Sequence, residues 1–374
     1  MRNPFIVSGK IPKEYFCDRE NESSQLIRLL TNGNNVVLVS PRRMGKTGLI
    51  YHCFSFPEIR ENYNTIFVDI LQSTCLQEFT FLFGKAVYES LVPKGKRLIT
   101  KFLDSLKSLS GKFTFDAATG APSFSIQLGD IVSPTYTLDE IFDFIERYPE
   151  PCIVAFDEFQ QITSYPERNV EAILRTHIQR LGNCKFIFSG SRQHLISEMF
   201  INSSRPFYHS ASWLYLSPIP EEVYSDFVER LFKESDRRIL RDDIVELYRK
   251  FEGVTFYLQS IFNAAFSMTS RKETCTSKII ENAIKEVVES RSGIYRELLS
   301  GLTIRQKELL IAISKAEPAT GITSSAFISK YGLLSASSVQ TAAKKLTELN
   351  LIVKSEGKYY NADKFLSIWL KQSY

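Results

Sequence analysis

Residues 36–47 read VVLVSPRRMGKT, four aliphatic residues followed by a loop that carries two arginines, a glycine and a lysine. A continuous run of valine and leucine is typical of a strand that is buried on both faces of a parallel sheet. The loop is a variant of the phosphate-binding pattern GxxxxGK[ST], with Ser40 at the position of the first glycine. This stretch predicts a strand, a phosphate-binding loop and a helix, in that order.

The residues of the loop suit the binding of ATP together with Mg²⁺. Gly45 lets backbone N–H groups approach the phosphates, Lys46 can reach the β- and γ-phosphates, and Thr47 can place its hydroxyl on Mg²⁺. The N-terminus of the helix that follows adds a favourable dipole. A chance glycine turn among basic residues is the alternative interpretation. The residues of this stretch that are predicted to bind the nucleotide are Pro41, Arg42, Arg43, Met44, Gly45, Lys46, Thr47 and Gly48.

A second apolar run, at residues 152–156, ends in the pair Asp157 and Glu158. A phosphate-binding loop needs a carboxylate site of this kind. Asp157 would hold Mg²⁺ through a water molecule, and Glu158 would polarise the attacking water as general base. Helix capping is the alternative interpretation of an Asp-Glu pair at a strand end. The predicted catalytic residues here are Lys46 and Glu158, and the residues predicted to hold the metal are Thr47 and Asp157.

A later apolar run, at residues 185–189, leads into Ser189-Gly190-Ser191-Arg192. A polar side chain at the end of this strand can contact the γ-phosphate or the attacking water. Ser189 and Ser191 are therefore both catalytic candidates, and the sequence does not choose between them. A simple Ser-Gly turn is the alternative.

Helical patterns alternate with four candidate strands, at residues 36–39, 65–70, 152–156 and 185–189. This alternation predicts an α/β fold with a parallel sheet. A helix is predicted over residues 18–30, before the first strand. Residues 93–134 differ, because short alternating pieces around Thr119-Gly120 predict a hairpin inserted into the fold. We assign no chemistry to this insertion.

Beyond Pro218 the pattern becomes helical, and Pro220 suits the first turn of a helix. Residues 301–374 form a compact module, in which three helices and a hairpin predict a winged helix. The helices are expected around residues 305–314, 324–330 and 337–349, and the hairpin at 352–360. The predicted domains are a P-loop ATPase core at 1–216, a helical lid at 217–295 and a winged-helix domain at 296–374.

Composition restricts the class of protein. Hydrophobic residues at 44% and charged residues at 24% are close to the averages of globular domains, which argues against disorder. No apolar run approaches the roughly 18–20 residues that cross a bilayer, and the N-terminus lacks the apolar segment of a signal peptide. We expect a cytoplasmic protein with no membrane partner. The six cysteines form no CxxC pair, so reduced thiols are favoured over a zinc site.

Basic charge is concentrated at the C-terminal end. Residues 301–374 contain ten Lys or Arg against five Asp or Glu, whereas the whole chain has a net charge of only +4. Lys354 and Lys358, on the hairpin, could contact phosphates. DNA binding and protein docking or autoinhibition are both open for the winged helix, because its third helix has no arginine for reading guanine. The polar residues of that helix are Ser337, Ser338, Gln340, Thr341, Lys344 and Lys345.

The segments SPRRMGKT, IVAFDEFQ and FIFSGS, with the terminal winged helix, resemble the archaeal-type ATPases of the AAA+/STAND group, relatives of the origin-recognition ATPases. The resemblance covers nearly the whole chain. It implies a role beside the adenine for Asp18, Arg19 and Glu22, although capping of the N-terminal helix is the alternative. Family lids usually carry GG-x-P at a helix start, whereas this chain reads EGVTF from Glu252, so the resemblance does not extend to nucleotide sensing by the lid.

The resemblance also raises the question of an arginine that acts on a neighbouring subunit, and a homo-oligomer is possible. Four arginines lie in the relevant region, but surface salt bridges are the commoner fate of such residues, so no arginine finger is assigned. They are Arg175, Arg180, Arg192 and Arg205. No nuclease motif is visible.

Two functions follow from these features. The first is Mg²⁺-dependent ATP hydrolysis that drives a conformational switch of the lid and winged helix. The second is a DNA-binding regulator that acts through the winged helix, binds ATP and hydrolyses little of it.

Overall fold

The computed structural model describes residues 3–9, 11–91, 108, 114–115, 122–123 and 127–374. The chain divides into two compact units, one of Ser8–Ile219 and one of Met1–Val7 with Pro220–Tyr374. The domain boundaries that the sequence analysis sets after residues 216 and 295 stay predictions.

The unit of Ser8–Ile219 alternates helices with strands. Its described helices are α1 (Glu20–Thr31), α2 (Lys46–Phe54), α3 (Pro57–Arg60), α4 (Leu76–Leu91), α5 (Pro134–Glu146), α6 (Val170–Arg180) and α7 (Gln193–Ile201). Its described strands are β1 (Val36–Val39), β2 (Asn64–Asp69), β3 (Thr114–Phe115), β4 (Pro122–Ser123), β5 (Cys152–Asp157), β6 (Cys184–Gly190) and β7 (Ser212–Tyr215). Short 3-10 helices lie at Lys13–Tyr15, Leu128–Asp130 and Phe159–Ser164.

The main sheet of this unit has five strands in the order β2-β5-β6-β1-β7, and all neighbouring strands are parallel. The predicted parallel α/β fold is therefore confirmed, and the four predicted strands correspond to β1, β2, β5 and β6. Strand β7 was not predicted. This strand lies at the edge of the sheet and reads SWLY, in which only Leu214 is buried, so it shows no continuous apolar run.

Two parts of the sequence prediction concern the edges of this unit. Helix α1 begins at Glu20 rather than at residue 18, because Asp18 and Arg19 have φ angles of 53° and 70°, outside the helical region. In the predicted insertion, β3 and β4 pair antiparallel, as a hairpin requires. The turn predicted at Thr119-Gly120 lies outside the described residues.

Phenylalanine side chains fill the space beside β5 and β6. The ring of Phe159 lies 4.6 Å from that of Phe188 and 5.3 Å from that of Phe207, centroid to centroid, and all three side chains are fully buried. Truncating such a ring to alanine costs about 3–5 kcal/mol of stability. Because Phe159 directly follows Asp157 and Glu158, this packing fixes the backbone at the end of β5.

The unit of Met1–Val7 with Pro220–Tyr374 is mainly helical. Its described helices are α8 (Glu221–Glu234), α9 (Arg241–Lys250), α10 (Thr255–Met268), α11 (Ser277–Glu289), α12 (Ser292–Ser300), α13 (Ile304–Ala316), α14 (Ser325–Tyr331), α15 (Ala336–Glu348) and α16 (Lys364–Ser373). Strands β8 (Arg238–Ile239) and β9 (Thr274–Cys275) form a short parallel pair, and β10 (Ile352–Ser355) and β11 (Lys358–Asn361) form an antiparallel hairpin.

Helices α13, α14 and α15 with the β10–β11 hairpin make up the winged helix, as predicted. The hairpin turns at Glu356 and Gly357, which have φ angles of 50° and 78°, a left-handed conformation that glycine adopts without strain. Helix α16 was not predicted. It buries Phe365 and Trp369 within this unit.

Within this unit, the helical segment (α8 to α12) shares one aromatic cluster with α16, the helix that follows the hairpin of the winged helix. The ring of Phe365, on α16, lies 4.8 Å from Tyr257 and 5.8 Å from Phe251, centroid to centroid. The Tyr257 hydroxyl accepts a hydrogen bond of 3.0 Å from the backbone N–H of Lys364. The guanidinium of Arg291 lies over the Phe365 ring at 4.9 Å. Helix α10 and the N-cap residue of α12, Arg291, therefore contact the last helix of the chain directly.

Candidate functional site

The phosphate-binding loop joins β1 to α2 in the predicted order. Gly45 has φ 90° and ψ 22° and forms the N-cap of α2, a conformation that a residue with a Cβ adopts only at a cost in energy. Met44 is buried in the core, so only its backbone could contact a nucleotide, whereas Arg42 and Arg43 are exposed. The first backbone N–H groups of α2 have no partner within the helix and suit an anion.

Lys46 is 6% exposed, and its ammonium is held by the loop itself. Nζ donates to the carbonyl and the hydroxyl of Ser40, both at 3.1 Å, and to the carbonyl of Pro41 at 3.2 Å. Ser40 occupies the position of the first glycine in the motif, and its hydroxyl therefore supplies an acceptor that glycine would lack. The loop holds the lysine at the start of α2, next to the backbone groups that suit an anion.

The pKa of Lys46 is affected by burial and by charged residues at the carboxyl ends of the strands. Burial is the largest effect and lowers the pKa of its ammonium, while Glu158 and Asp157 oppose this shift and Arg42 adds to it. A buried cation with two carboxylates nearby is an environment that favours a polyanion carrying its own metal ion.

Thr47 and Asp157 meet although 110 residues separate them in the sequence. The hydroxyl of Thr47 donates to Oδ2 of Asp157 at 2.6 Å. A hydroxyl and a carboxylate are hard oxygen donors, and Mg²⁺ is usually held by one or two such groups together with phosphates and water. The two residues therefore fit Mg²⁺, and the predicted metal-binding pair lies close together.

Glu158 has a left-handed backbone conformation, and its carboxylate accepts two hydrogen bonds. Its φ and ψ are 57° and 39°, the left-handed region, which costs a non-glycine residue roughly 1 kcal/mol. Oε2 accepts from the hydroxyl of Ser191 at 2.7 Å and from Nε2 of Gln160 at 2.5 Å. Ser191 in turn accepts from Nε of Arg42 at 3.3 Å. This chain of contacts links the phosphate-binding loop, the end of β6 and the carboxylate.

The structure separates the two serine candidates. Ser191 contacts both Glu158 and Arg42. The side chain of Ser189 is fully buried, and its hydroxyl has no hydrogen-bond partner among the described residues. Ser191 is therefore the serine that lies with the other candidate residues, a distinction that needs the position of the strand end and not only its sequence.

Two polar residues of this region, Gln160 and Asp69, were not predicted. Gln160 follows Glu158 by two positions and contacts its carboxylate. Asp69 ends β2 in direct register with Asp157, so it brings a third carboxylate to this edge of the sheet. Burial is the largest cause that raises the pKa of Asp69, and Asp157 and Glu158 raise it further. The available signal for Asp69 was an acidic residue at the end of a predicted strand.

The N-terminal segment of this unit supplies further contacts. Arg19 is 3% exposed, and its guanidinium pairs with Glu22 at 2.5 Å. The N-cap of α1 is Arg19, and its side chain makes no cap hydrogen bond. Phe16 stacks on His52 at 3.9 Å between centroids. A role of Asp18 and Arg19 beside the adenine stays a prediction.

Three of the four arginines considered for action on a neighbouring subunit have partners within their own unit. Arg180 pairs with Asp143 and Glu146, and Arg205 pairs with Glu171. Arg175 donates to the carbonyl of Pro206. Within the described parts of the chain, Arg192 has no carboxylate partner. The structure thus adds no support for an arginine finger at the three paired positions.

The third helix of the winged helix, α15, presents a polar face. Ser337, Gln340, Thr341 and Lys344 are exposed, and their spacing of three or four residues places them on one side of the helix. Lys345 pairs with Glu348 at 3.2 Å, whereas Lys344 has no ion pair within the described residues. Ser338 is half-buried. On the hairpin, Lys354 lies over the ring of Tyr359 at 5.4 Å.

Among the described residues, no helix combines the length and the apolar character that a bilayer span requires.

Comparison with known families gives two matches. Residues 16–261 match the model of an ATPase domain predominantly from Archaea, and residues 293–372 match a probable winged helix domain. No curated protein matches the chain significantly.

Solved structures with a similar fold cover nearly the whole chain. A Walker-type ATPase of Pyrococcus abyssi superposes with a TM-score of 0.66 at 20% identity, over 98% of this chain and 99% of its own. The ORC2 protein of Aeropyrum pernix, solved in ADPNP and ADP complexes, gives 0.61 at 16% identity over 100% and 98% of the two chains. The ORC1 protein of Aeropyrum pernix, solved in complex with DNA, gives 0.55 at 13% identity over 100% and 97%. At these identities the likeness concerns the fold.

Proposed function

The chain belongs to the family of ATPase domains found predominantly in Archaea and is an ATP-hydrolysing P-loop enzyme, and from this we propose that it is a Mg²⁺-dependent switch ATPase. In this proposal, ATP binding orders the helical segment and the winged helix, and hydrolysis releases them. The ATP site lies in the unit of Ser8–Ile219, and the part that responds is the unit containing α8 to α16.

The residues of the phosphate-binding loop and of β5 take separate roles in the proposed reaction. Backbone N–H groups around Gly45 and the ammonium of Lys46 bind the phosphates. Thr47 and, through a water molecule, Asp157 would hold Mg²⁺, which would neutralise charge on the phosphates. Glu158 accepts a proton from the attacking water. The oxygen of that water forms a bond to the γ-phosphorus, and the bond between the γ-phosphorus and the β–γ bridging oxygen breaks.

The hydrogen bond between Thr47 and Asp157 is the observation that carries the proposal. It joins the end of the phosphate-binding loop to the end of the carboxylate strand, 110 positions away in the sequence. The similarity to ORC2 of Aeropyrum pernix, which was solved with ADPNP and ADP, supports the same nucleotide class for this chain.

The packing of the second unit supports a joint response of the helical segment and winged helix. The contacts of Phe365 with Tyr257 and Phe251 tie α16 to the end of α9 and the start of α10. Lys364 also pairs with Glu252 at 2.8 Å. A change in the helical segment would therefore carry the winged helix with it, since packed cores move as bodies rather than deform continuously.

Hydrogen exchange measured by mass spectrometry tests the switch. The Glu158→Gln variant, which is expected to bind ATP without cleaving it, should show exchange slowed by about fivefold or more in α10 and α16 with ATP relative to ADP. Lys46→Ala, expected to lose ATP binding, is the control and should show no difference between the nucleotides. Equal exchange with ATP and ADP in the Glu158→Gln variant would remove the switch while leaving the ATPase activity in place.

DNA binding is the second candidate function, and the exposed polar face of α15 favours it. Ser337, Gln340 and Lys344 could donate to phosphates or base edges, and Lys344 has no ion pair in the described structure that would compete. The similarity to ORC1 of Aeropyrum pernix, solved with DNA, supports testing this function. Docking of a protein on the same face is the competing outcome, and a homo-oligomer stays a prediction.

Lys344→Ala is expected to weaken binding to a labelled DNA duplex by about 3- to 10-fold at low salt, because one phosphate contact is lost. For the same reason, the affinity of the variant should depend less steeply on salt concentration. Fluorescence anisotropy over a series of salt concentrations measures both effects. Lys285→Ala removes an exposed lysine of α11 outside the winged helix and should change neither. No binding at low salt, or equal losses in both variants, would leave protein docking as the function of this face.

A further inference from the structure

The carboxylate of Glu158 is held from one side. Oε2 accepts both hydrogen bonds, from Nε2 of Gln160 at 2.5 Å and from Oγ of Ser191 at 2.7 Å. Within the part of the chain that the structure describes, no donor contacts Oε1. A carboxylate oxygen offers about two lone-pair directions, so the two donors occupy those of Oε2 and leave those of Oε1 open. The arrangement therefore makes the two oxygens of Glu158 chemically different.

We propose that Gln160 is a positioning residue, which fixes Oε2 of Glu158 so that Oε1 takes the proton of the attacking water. This inference rests on the proposed role of Glu158 as general base. Gln160 contacts neither ATP nor water in this scheme and acts only through the carboxylate. Because proton transfer depends steeply on geometry, a base that turns freely about its side-chain bonds would be less effective.

The surroundings of Gln160 are arranged to hold its side chain in this position. Gln160 is 3% exposed, and it lies against Gly190, at the end of β6. A Cβ built on Gly190 would overlap Oε1 of Gln160 and lie 2.6 Å from Cδ1 of Ile196, so only glycine leaves room for the amide. The same strand end then places Ser191, the second donor, on the carboxylate.

The amide of Gln160 is also costly to bury, which argues for a functional role. Its Oε1 is buried and has no hydrogen-bond partner among the described residues. An unpaired buried acceptor destabilises the fold, so a residue chosen for stability alone would be apolar. Retaining a donor toward Glu158 at the expense of an unpaired acceptor fits a trade of stability for activity.

The test replaces Gln160 by methionine, which has a similar volume and no N–H donor. We expect kcat for ATP to fall by about 10- to 100-fold, the loss for one hydrogen bond to a charged group, with KM within about twofold of the wild type. The melting temperature should stay the same or rise, because the unpaired acceptor is gone. Gln161→Met is the matched control. Gln161 lies on the same 3-10 helix but donates to the carbonyl of Ser73. Replacing Gln161 should therefore leave kcat within about twofold of the wild-type value.

A double-mutant cycle separates positioning from a structural effect. In the Glu158→Gln background, where no general base is present, Gln160→Met should cause no further loss in a single-turnover assay. An equal fall in both backgrounds, or a lower melting temperature with a raised KM, would overturn the inference. Gln160→Glu keeps the shape but replaces the donor by an acceptor, and it should lower kcat at least as far as Gln160→Met.

Failure of this inference is distinguishable from failure of the proposed function. If the wild type hydrolyses ATP and Glu158→Gln abolishes hydrolysis while Gln160→Met does not reduce it, only the role of Gln160 is wrong. If Glu158→Gln hydrolyses ATP as fast as the wild type, the proposed general base itself is wrong and the inference falls with it.

Discussion

Replacing Glu158 by glutamine is expected to lower the turnover number for ATP by about 100- to 10,000-fold, the usual contribution of a positioned general base. The physical reason is that an amide cannot take the proton of the attacking water. Glutamine has nearly the same shape, and its amide oxygen can accept the hydrogen bonds of Gln160 and Ser191 that Oε2 accepts in the wild type. Phosphate release measured with saturating ATP gives the turnover number.

Nucleotide binding by this variant should stay within about threefold of the wild type, since the replacement removes no group that is proposed to bind the phosphates. Glu89→Gln provides the matched control. Glu89 lies on α4 with its side chain 60% exposed in a surface pair with Lys85, and its replacement should leave turnover unchanged. Turnover by Glu158→Gln equal to that of the wild type would show that another group accepts the proton.

Replacing Lys46 by alanine is expected to weaken ATP binding by about 30-fold or more, because truncating a buried, hydrogen-bonded charge costs roughly 2–5 kcal/mol. In the absence of the ammonium, the three oxygens that accept from it in Ser40 and Pro41 would also lose their donor. Both effects follow from the same side chain, and both concern the phosphate-binding loop.

Isothermal titration calorimetry measures the affinity, and the rise in melting temperature on adding ATP gives an independent check, since a ligand stabilises only the state that binds it. Lys85→Ala removes an exposed lysine of the same unit and should leave ATP affinity unchanged. ATP affinity within threefold of the wild type in Lys46→Ala would contradict the assignment of the loop as the phosphate site.

Several features of the fold were predictable because their physical signal is local. A strand buried on both faces must be apolar along its whole length, and residues 36–39 and 152–156 show this in the sequence. The winged helix was predictable for the same reason, since the apolar spacing of its helices and the turn at Glu356-Gly357 are properties of short segments. The edge strand β7 lacks such a signal because it is half-exposed. The last helix α16 was not predicted although it carries a local signal, since Asp363 caps its start and Phe365, Trp369 and Leu370 follow at helical spacing.

The candidate site was predictable only in part. Lys46, Thr47, Asp157 and Glu158 stand in two motifs, each of which can be recognised without the other. The choice between Ser189 and Ser191 required the structure, because the two hydroxyls differ only in whether the fold buries them or places them on Glu158. Gln160 and Asp69 were not predicted for a related reason, because glutamine and aspartate are common near strand ends. Only the structure shows that Gln160 contacts Glu158 and that Asp69 lies in register with Asp157.

The sequence by itself determined that this chain has a parallel sheet, a phosphate-binding loop, an acidic strand end and a winged helix, because each depends on residues within one short segment. Only the tertiary structure decided which side chains meet. The contacts of Thr47 with Asp157, of Ser191 with Glu158 and of Arg42 with Ser191 join positions 110, 33 and 149 residues apart. They arise because parallel strands bring their carboxyl ends to one edge of a sheet, and the order of those strands is set by the packing of the whole unit.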